Sequence, residues 1–272
     1  MLPFTSTPPS SERSRWKQFL HSRYETTQKE LQPLKSSWSS LPDNAKLGIA
    51  IVGSSLLTVA GVWVYKRHMK RIPNSQFVTA EDFNRRRWIT GIVTSVGDAD
   101  NFRLFHTPSI GWRWPLKFRS IPSGKDLKDQ TLHIRMAGVD APEAAHFGKD
   151  AQPYSAEALQ WLKSTVEGKR VWCQLILRDQ YGRTVAIPMI RSWIPFRKKC
   201  VSLEMLKAGW ACVYEQSNAV YGKWGKEHFL SVQTAAQKAK RGMWEKGVTG
   251  ETPAEYKKRY AKAASTVNPT TS

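Results

Sequence analysis

The sequence predicts an α+β domain that is built on a small β-barrel and preceded by a single transmembrane helix. Two patterns in the 272 residues indicate this arrangement. The first is one long uncharged apolar stretch, which runs from Leu47 to Tyr65. The second is a series of short alternating strands followed by interspersed short helices, which is typical of a compact α+β unit on a barrel.

The stretch from Leu47 to Tyr65 has the length and composition of a membrane span. As a helix it would rise roughly 28 Å, close to the hydrocarbon thickness of a bilayer. It ends at Trp63 and Tyr65, and mostly basic residues follow at 66–71, as at a membrane–water interface. A buried helix of a soluble core would have amphipathic flanks, and a signal peptide would be shorter and closer to the N-terminus. The basic residues favour a C-terminal domain on the untranslocated side.

Residues 1–46 are predicted to form a disordered basic tail, because they are rich in Ser, Pro and Thr. The first 24 residues hold four basic side chains against one acid, Glu12. Trp16, Phe19 and Leu20 could share one helical face, so the composition is also compatible with mitochondrial targeting. We therefore expect a single-pass membrane protein of mitochondria, although a plain disordered tail explains these residues nearly as well.

The rest of the chain divides into a juxtamembrane linker at 66–82, a globular domain at 83–247 and a disordered tail at 248–272. Alternating apolar residues predict strands at 88–96, 101–106, 132–137, 171–177 and 184–190. Helices are predicted at 153–167, 202–208 and 223–240, each closed by a glycine. The long segment at 106–130 interleaves tryptophan and phenylalanine with basic residues, which suits single-stranded bases or a headgroup layer. Packing of these aromatic residues on their own domain is the plain alternative.

The chain is strongly basic, with 42 Lys and Arg against 22 Asp and Glu and a formal charge of +20. Such a field concentrates polyanions, of which nucleic acid comes first and an anionic membrane surface second. Cys173, Cys200 and Cys212 have no C-x-x-C or zinc-like spacing. This cysteine pattern mildly favours a reducing compartment.

Three polar stretches, at 97–101, 133–143 and 179–183, are not explained by the apolar pattern. Taken singly, each is an ordinary turn or solvated ion pair. Together they supply what phosphoryl chemistry needs. Asp100 and Asp140 offer carboxylate oxygens to a hard divalent cation, and Glu143 offers a base for an attacking water. Arg135 and Arg183 offer fixed bidentate cations for phosphate oxygens.

The stretch R-M-A-G-V-D-A-P-E at 135–143, followed by D-Q-Y-G-R at 179–183, resembles the staphylococcal nuclease (thermonuclease) family. The stretches L-E-M-L-K-A-G-W-A at 203–211 and R-G-M-W at 241–244 resemble that family's next helix and its closing turn. The likeness covers about residues 88–246. With the span ahead of it, the chain is similar to the fungal, single-pass, mitochondrial membrane nucleases of the family.

The resemblance implies an OB-type five-stranded β-barrel with three helices, and Ca²⁺-dependent hydrolysis of DNA and RNA. By matching positions, Arg135 and Arg183 would clamp the phosphate and stabilise the transition state. Glu143 would be the general base. Asp100 and Asp140 would bind the Ca²⁺ ion.

The resemblance also implies that Tyr181 contacts the nucleotide, and this sequence departs from the family pattern nearby. Ala141 stands where the family often has Thr, whose backbone carbonyl helps to bind the metal, so the third ligand is open. Gln180 stands where Lys is common, so one phosphate contact is lost. The segment at 106–130 is longer than in compact bacterial members and could alter substrate access.

Two functional hypotheses follow. One is a membrane-anchored, Ca²⁺-dependent endonuclease, and the other is a catalytically silent nucleic-acid- or protein-binding module on the same barrel. Silent copies lose the arginines and carboxylates, whereas Arg135, Asp140, Glu143 and Arg183 are all present, which favours the enzyme. Docking on anionic lipid alone would explain the charge but not these four residues. The predicted partners are nucleic acid and the bilayer, with no obligate protein partner evident.

Overall fold

The computed structural model describes residues 10–112, 114–145, 150–216, 219–247, 253–256 and 259. The strands are β1 Trp88–Asp98, β2 Asn101–His106, β3 Leu132–Met136, β4 Val139–Asp140, β5 Arg170–Arg178, β6 Thr184–Arg191, β7 Lys198–Cys200 and β8 Cys212–Val213. The α-helices are α1 Ser10–Ser39, α2 Asp43–Val64, α3 Ala80–Asn84, α4 Ser155–Val166, α5 Val201–Ala208 and α6 Gly225–Lys238.

Five strands close into a barrel. They pair in the order β3, β2, β1, β5, β6, and a parallel pairing of β6 with β3 completes the ring. Strand β7 extends the sheet beyond β6, and β4 pairs with β8 in a separate two-stranded sheet. These pairings confirm the predicted α+β class with a five-stranded barrel. Because residues alternate between the two faces of a strand, side chains such as Leu104, Ile134 and Leu175 fill the interior and are fully buried.

Helices α4, α5 and α6 correspond to the three predicted helices. In α4 the residues Ala158, Leu162 and Val166 recur every four positions and are fully buried, which gives the helix one apolar face toward the core. Helix α5 ends at Gly209, whose φ is +80°. A β-carbon there would lie 2.1 Å from the Arg241 carbonyl oxygen, so a side chain at this position would force the chain after α6 away from α5.

The described part of the N-terminal region, from residue 10 onward, contains the α-helices α1 and α2. Helix α1 occupies most of the tail that the sequence was expected to leave disordered, and its described side chains are largely exposed. Local propensity explains this helix, since its middle is rich in Lys, Glu and Gln, which are good helix formers. Helix α2 continues into a π-helical turn at Tyr65–Met69. Among the described residues, this one continuous helix, Asp43–Met69, is long and apolar enough to cross a membrane, with a mean hydropathy of 2.0. It includes the predicted span from Leu47 to Tyr65.

The predicted linker at 66–82 differs from expectation, because it packs along the barrel. Ile72 and Val78 are buried in the main core. The Ile72 amide donates a 2.8 Å hydrogen bond to Nδ1 of the buried His106. The Arg178 guanidinium donates to the carbonyls of Ser75 and Val78, each at 2.8 Å. These bonds satisfy backbone groups that a free linker would leave to water.

His106 should make the fold sensitive to acid. Burial, and then the charges of Arg87 and Arg71, lower the pKa of His106 to about 3, whereas an unfolded histidine titrates near 6.5. Between about pH 6.5 and 3, His106 is therefore protonated in the unfolded chain and neutral in the folded chain. The free energy of unfolding falls as the pH drops through this range, by at most about 1.4 kcal/mol per pH unit.

A His106→Asn variant keeps an acceptor for the Ile72 amide without a titrating ring. Its free energy of unfolding, measured with denaturant on the full chain in detergent at neutral and mildly acid pH, should fall less than that of the parent. The same change at exposed His228 should leave the parent's pH dependence unchanged. Equal acid sensitivity of the His106→Asn variant and the parent would contradict the assignment.

The ends and the cysteines complete the description. Residues 253–256 are helical where a disordered tail was predicted, because Tyr256 is buried and its hydroxyl donates to the Asp150 carbonyl. Cys173, Cys200 and Cys212 are free and buried. Burial raises the pKa of the Cys200 thiol to about 11, which makes it a packing residue and not a nucleophile.

Candidate active site

Strand register brings the predicted carboxylates to one place. Asp100 occupies the tight turn between β1 and β2, and the next residue, Asn101, pairs with Arg135 of β3. Asp140 ends β4, where it pairs with Cys212 of β8. The Met136 amide donates to the Asp100 carbonyl at 2.9 Å, which fixes the turn against β3.

Arg135 lies at the centre of this group. Its Nη1 is 2.8 Å from Asp100 Oδ2, and its Nη2 is 3.0 Å from Asp140 Oδ1. All three residues are less than a tenth exposed. The carboxylate oxygens of Asp100, Asp140 and Glu143 lie within 4.8 Å of one another. The structure therefore unites four of the residues that the sequence suggested.

The group carries more negative than positive charge. Burial lowers the pKa of Arg135, but Asp100, Asp140 and Glu143 outweigh burial and raise it overall. Asp98 is a further member that sequence reasoning did not include in the site. Burial and then the charge of Asp100 raise the pKa of Asp98 to about 6. Four carboxylates around one guanidinium carry a formal charge of −3 when all are ionised.

Gln152 fixes the position of Glu143. The backbone N–H of Glu143 donates to the side-chain Oε1 of Gln152 at 2.9 Å. The backbone N–H of Gln152 donates to the backbone carbonyl of Glu143, also at 2.9 Å. Gln152 is buried, so these bonds are shielded from water. Glu143 itself remains partly exposed.

Arg183 is held apart from the carboxylates by its own hairpin. Its Nε is 2.6 Å from Asp179 Oδ2, and its amide donates to Asp179 Oδ1 at 2.8 Å. The Tyr181 amide also donates to Asp179, at 3.0 Å. The Tyr181 ring is 74% exposed, and the Arg183 guanidinium lies 5.2 Å from its centroid. Asp179 thus organises a turn in which an arginine and a tyrosine face solvent together.

The barrel nevertheless places the two arginines on neighbouring strands. Strands β3 and β6 run parallel, with Ile134 beside Thr184 and Arg135 beside Val185. Arg183 directly precedes Thr184, so it lies two residue levels from Arg135, about 7 Å along the strands. Ile134 and Thr184 point into the core, and alternation directs Arg135 and Arg183 outward. Both guanidinium groups therefore belong to one face of the barrel.

An aromatic ring that the sequence did not single out borders the carboxylates. The Arg135 guanidinium lies 5.9 Å from the ring centroid of Tyr214. The Tyr214 amide bonds to the Gly138 carbonyl at 3.1 Å, and its carbonyl accepts the Tyr221 hydroxyl at 2.7 Å. Tyr214 follows β8, and the pairing of β8 with β4 brings it close to Arg135. The sequence alone gave no signal for this contact.

The carboxylates fit a hard divalent cation. Oxygens that share one Ca²⁺ at about 2.3–2.6 Å are at most about 5 Å apart, and those of Asp100, Asp140 and Glu143 meet this limit. An ionised carboxylate has about four lone-pair sites, so a bond to Arg135 does not prevent Asp100 or Asp140 from binding a cation. Ala141 is buried between Asp140 and Glu143, and its carbonyl stays a candidate ligand by position in the chain.

Comparison with known proteins gives a consistent result. Residues 133–246 match the family model described as staphylococcal nuclease homologue. The "probable endonuclease LCL3" of Schizophyllum commune is 54% identical over 220 residues, which are 79% of this chain and 75% of that protein. Its namesake in Botryotinia fuckeliana is 46% identical over 74% of this chain and 77% of the relative. The one in Pyrenophora tritici-repentis is 42% identical over 84% and 88%.

Proposed function

The chain belongs to the staphylococcal nuclease family, and we propose that it is a membrane-anchored, Ca²⁺-dependent endonuclease of DNA, RNA or both. It is a hydrolase of phosphodiester bonds in nucleic acid. The observation that carries the proposal is the convergence of Asp100, Asp140 and Glu143, with oxygens within 4.8 Å, around Arg135. A silent binding module has no need to hold three carboxylates together at the cost of their repulsion.

Ca²⁺ held by Asp100 and Asp140 beside Glu143 would supply positive charge for the phosphate oxygens. The protein's own residues do the remaining work. Glu143, placed by Gln152, accepts a proton from the attacking water at a carboxylate oxygen. Arg135 holds Asp100 and Asp140 in place and adds a fixed positive charge beside the phosphate.

Arg183 is the second cation. Asp179 binds its Nε, so this ion pair does not use the two terminal nitrogens. They form the fork with which arginine binds two phosphate oxygens at once. The exposed ring of Tyr181 beside it, and Tyr214 near Arg135, would contact the sugar or base of the nucleotide.

The anchor is the stretch from Leu47 to Tyr65, supported by the length and composition of the helix Asp43–Met69. We propose a mitochondrial membrane, on the basic composition of the first 24 residues. Cell fractionation with protease protection of a C-terminal tag would test both the organelle and the side that the domain faces. A tagged protein that separates from mitochondria, or is released from membranes by high salt alone, would contradict this part.

The activity is tested with the full chain in detergent and a circular single-stranded DNA, which has no ends. Linear and then shorter products are expected with Ca²⁺, and none with chelator. Cleavage that persists with chelator would contradict the calcium dependence. Binding of the circle without cleavage in Ca²⁺ would overturn the enzyme and support the silent module. Cleavage restricted to linear DNA would indicate an exonuclease.

A Gln152→Leu variant should cleave about 10- to 100-fold more slowly with little change in KM, because it frees Glu143 without touching the arginines. The measurement is kcat and KM on the same DNA, together with the unfolding midpoint. A Gln152→Glu variant keeps an acceptor oxygen for the Glu143 amide and should retain more of the rate. A folded Gln152→Leu variant with the parent's kcat would show that Gln152 does not position the base.

A further inference from the structure

An exposed aromatic tip projects from the long connection between β2 and β3. The tip, residues 111–112 and 114–118, carries Trp114, Leu116 and Phe118, which are 88%, 61% and 62% exposed. It folds back on itself, since the amides of Phe118 and Arg119 both donate to the Gly111 carbonyl, at 3.1 and 2.9 Å. Three large apolar side chains exposed within five residues are typical of a surface that contacts a partner or a membrane, and not of a surface that faces only water.

The base of the tip is bonded to residues 68 and 69, in the last turn of the helix Asp43–Met69. The Ile110 amide donates to the His68 carbonyl at 3.1 Å, and Arg119 Nη1 donates to the Met69 carbonyl at 3.0 Å. His68 and Met69 come three and four residues after Tyr65. Even a fully extended chain would keep these attachment points within about 14 Å of the end of the apolar stretch.

The chemistry of the tip matches the interfacial layer of a bilayer. That layer is about 5–8 Å deep on each side, and it is where Trp and other amphipathic or apolar side chains insert. Residues 66–72 and 107–119 include seven Lys and Arg and no Asp or Glu. Basic residues near an anionic membrane surface are attracted to it and strengthen binding.

The position of the tip disfavours a role in holding substrate. Thr107 follows the last residue of β2, and Asp100 precedes the first. The carboxylates and the base of the tip therefore lie at opposite ends of a six-residue strand, about 17 Å apart. Aromatic and basic residues can also bind single-stranded nucleic acid, but here they extend away from the catalytic carboxylates.

We propose that the aromatic tip inserts into the headgroup layer of the membrane that holds the span, as a second attachment of the domain. This inference rests on the proposed anchor. The span alone would give the domain a single attachment to the bilayer. With the tip inserted, the domain has two attachment points, and the carboxylates at the other end of β2 stay on the aqueous side.

The test uses the full chain reconstituted into phosphatidylcholine vesicles that contain phosphatidylserine. Trp114→Cys and Phe118→Cys variants are each labelled with an environment-sensitive fluorophore, and the three native cysteines are buried and so react slowly. The matched control is Phe196→Cys, which replaces a fully exposed aromatic residue in the β6–β7 turn. Phe196 is separated from the tip in the chain by β3 to β6, so its label reports on an exposed aromatic position that does not belong to the tip.

Lipids with a quencher near the headgroup should reduce the emission of labels at 114 and 118 and leave the label at 196 unchanged. If the protein floats with the vesicles but the labels at 114 and 118 are not quenched, insertion of the tip is contradicted and the membrane anchor is retained. Equal quenching at all three positions would indicate non-specific adhesion of the domain to lipid and would overturn the proposal. Failure of the protein to float with the vesicles would also overturn it. A change in emission on adding single-stranded DNA in place of quencher lipid would assign the tip to nucleic acid instead. None of these measurements depends on cleavage of nucleic acid. A protein without nuclease activity could therefore still confirm or contradict insertion of the tip.

Discussion

An Arg183→Ala variant is expected to cleave DNA about 10²–10³-fold more slowly than the parent, which is the usual cost of losing one fixed electrostatic donor to a reacting group. The fall should appear mainly in kcat, because charge on the phosphate oxygens increases in the transition state and a fork held by Asp179 is ready for it. Stability should change little, since Arg183 is partly exposed and its ion pair with Asp179 is shielded only in part.

The matched control is Arg191→Ala, which removes the same charge from the last residue of β6, at an exposed position, whereas Arg183 directly precedes the first. Its rate should stay within about twofold of the parent, since distant surface charges act weakly at physiological salt. Steady-state kinetics on one oligonucleotide at fixed ionic strength compares the two. Equal losses in both variants would mean that the net positive field attracts substrate and that Arg183 has no local role.

Most of the barrel could be predicted from the sequence because its signals are local. Strand β2 was predicted with both boundaries right, and the other barrel strands were predicted to within two residues at each end. Alternation of apolar residues fixes which positions face a core, and the glycines after α4 and α5 mark where those helices end. Short elements such as β4, β7 and β8 carry no such signal, because two or three residues show no period.

The carboxylates and Arg135 could be predicted as a set because each chemical requirement has a residue type that satisfies it. Their assembly needs only the pairing of Asn101 with Arg135 and the short turn into Asp140. The residues that hold the site could not be predicted in this way. Gln152 is nine residues beyond Glu143, with nothing in the sequence to connect them. An aspartate in a hairpin, such as Asp179, ordinarily stabilises the turn, so the sequence does not show that it also positions Arg183.

The juxtamembrane segment shows a different limit. Residues 66–82 look like a linker because they are basic and short of periodic apolar residues, yet they provide Ile72 and Val78 to the core. Their place is set by single long-range bonds, such as that from the Ile72 amide to His106. Contacts of this kind depend on tertiary packing, and a local pattern does not reveal them.

An Arg135→Met variant should lose about 3–5 kcal/mol of the free energy of unfolding in the presence of chelator, because removing one partner leaves buried carboxylates without their counter-charge. Arg135, Asp100 and Asp140 are all less than a tenth exposed, so water screens little of the repulsion. Cleavage should be lost as well. The matched control is Arg103→Met, at an exposed position of the adjacent strand β2, where a change within about 0.5 kcal/mol is expected.

Calcium separates the electrostatic explanation from a simple packing defect. If the carboxylates of Asp100 and Asp140 cause the instability, Ca²⁺ should restore more stability to the Arg135→Met variant than it adds to the parent, because ligand binding to the folded state stabilises it. Adding Asp100→Asn to Arg135→Met should also recover part of the loss, as expected for residues in direct contact. Denaturant unfolding of the full chain in detergent, with Ca²⁺ and with chelator, measures both effects. If neither Ca²⁺ nor Asp100→Asn relieves the variant, Arg135 stabilises the fold by packing, and the carboxylates are not the cation site proposed.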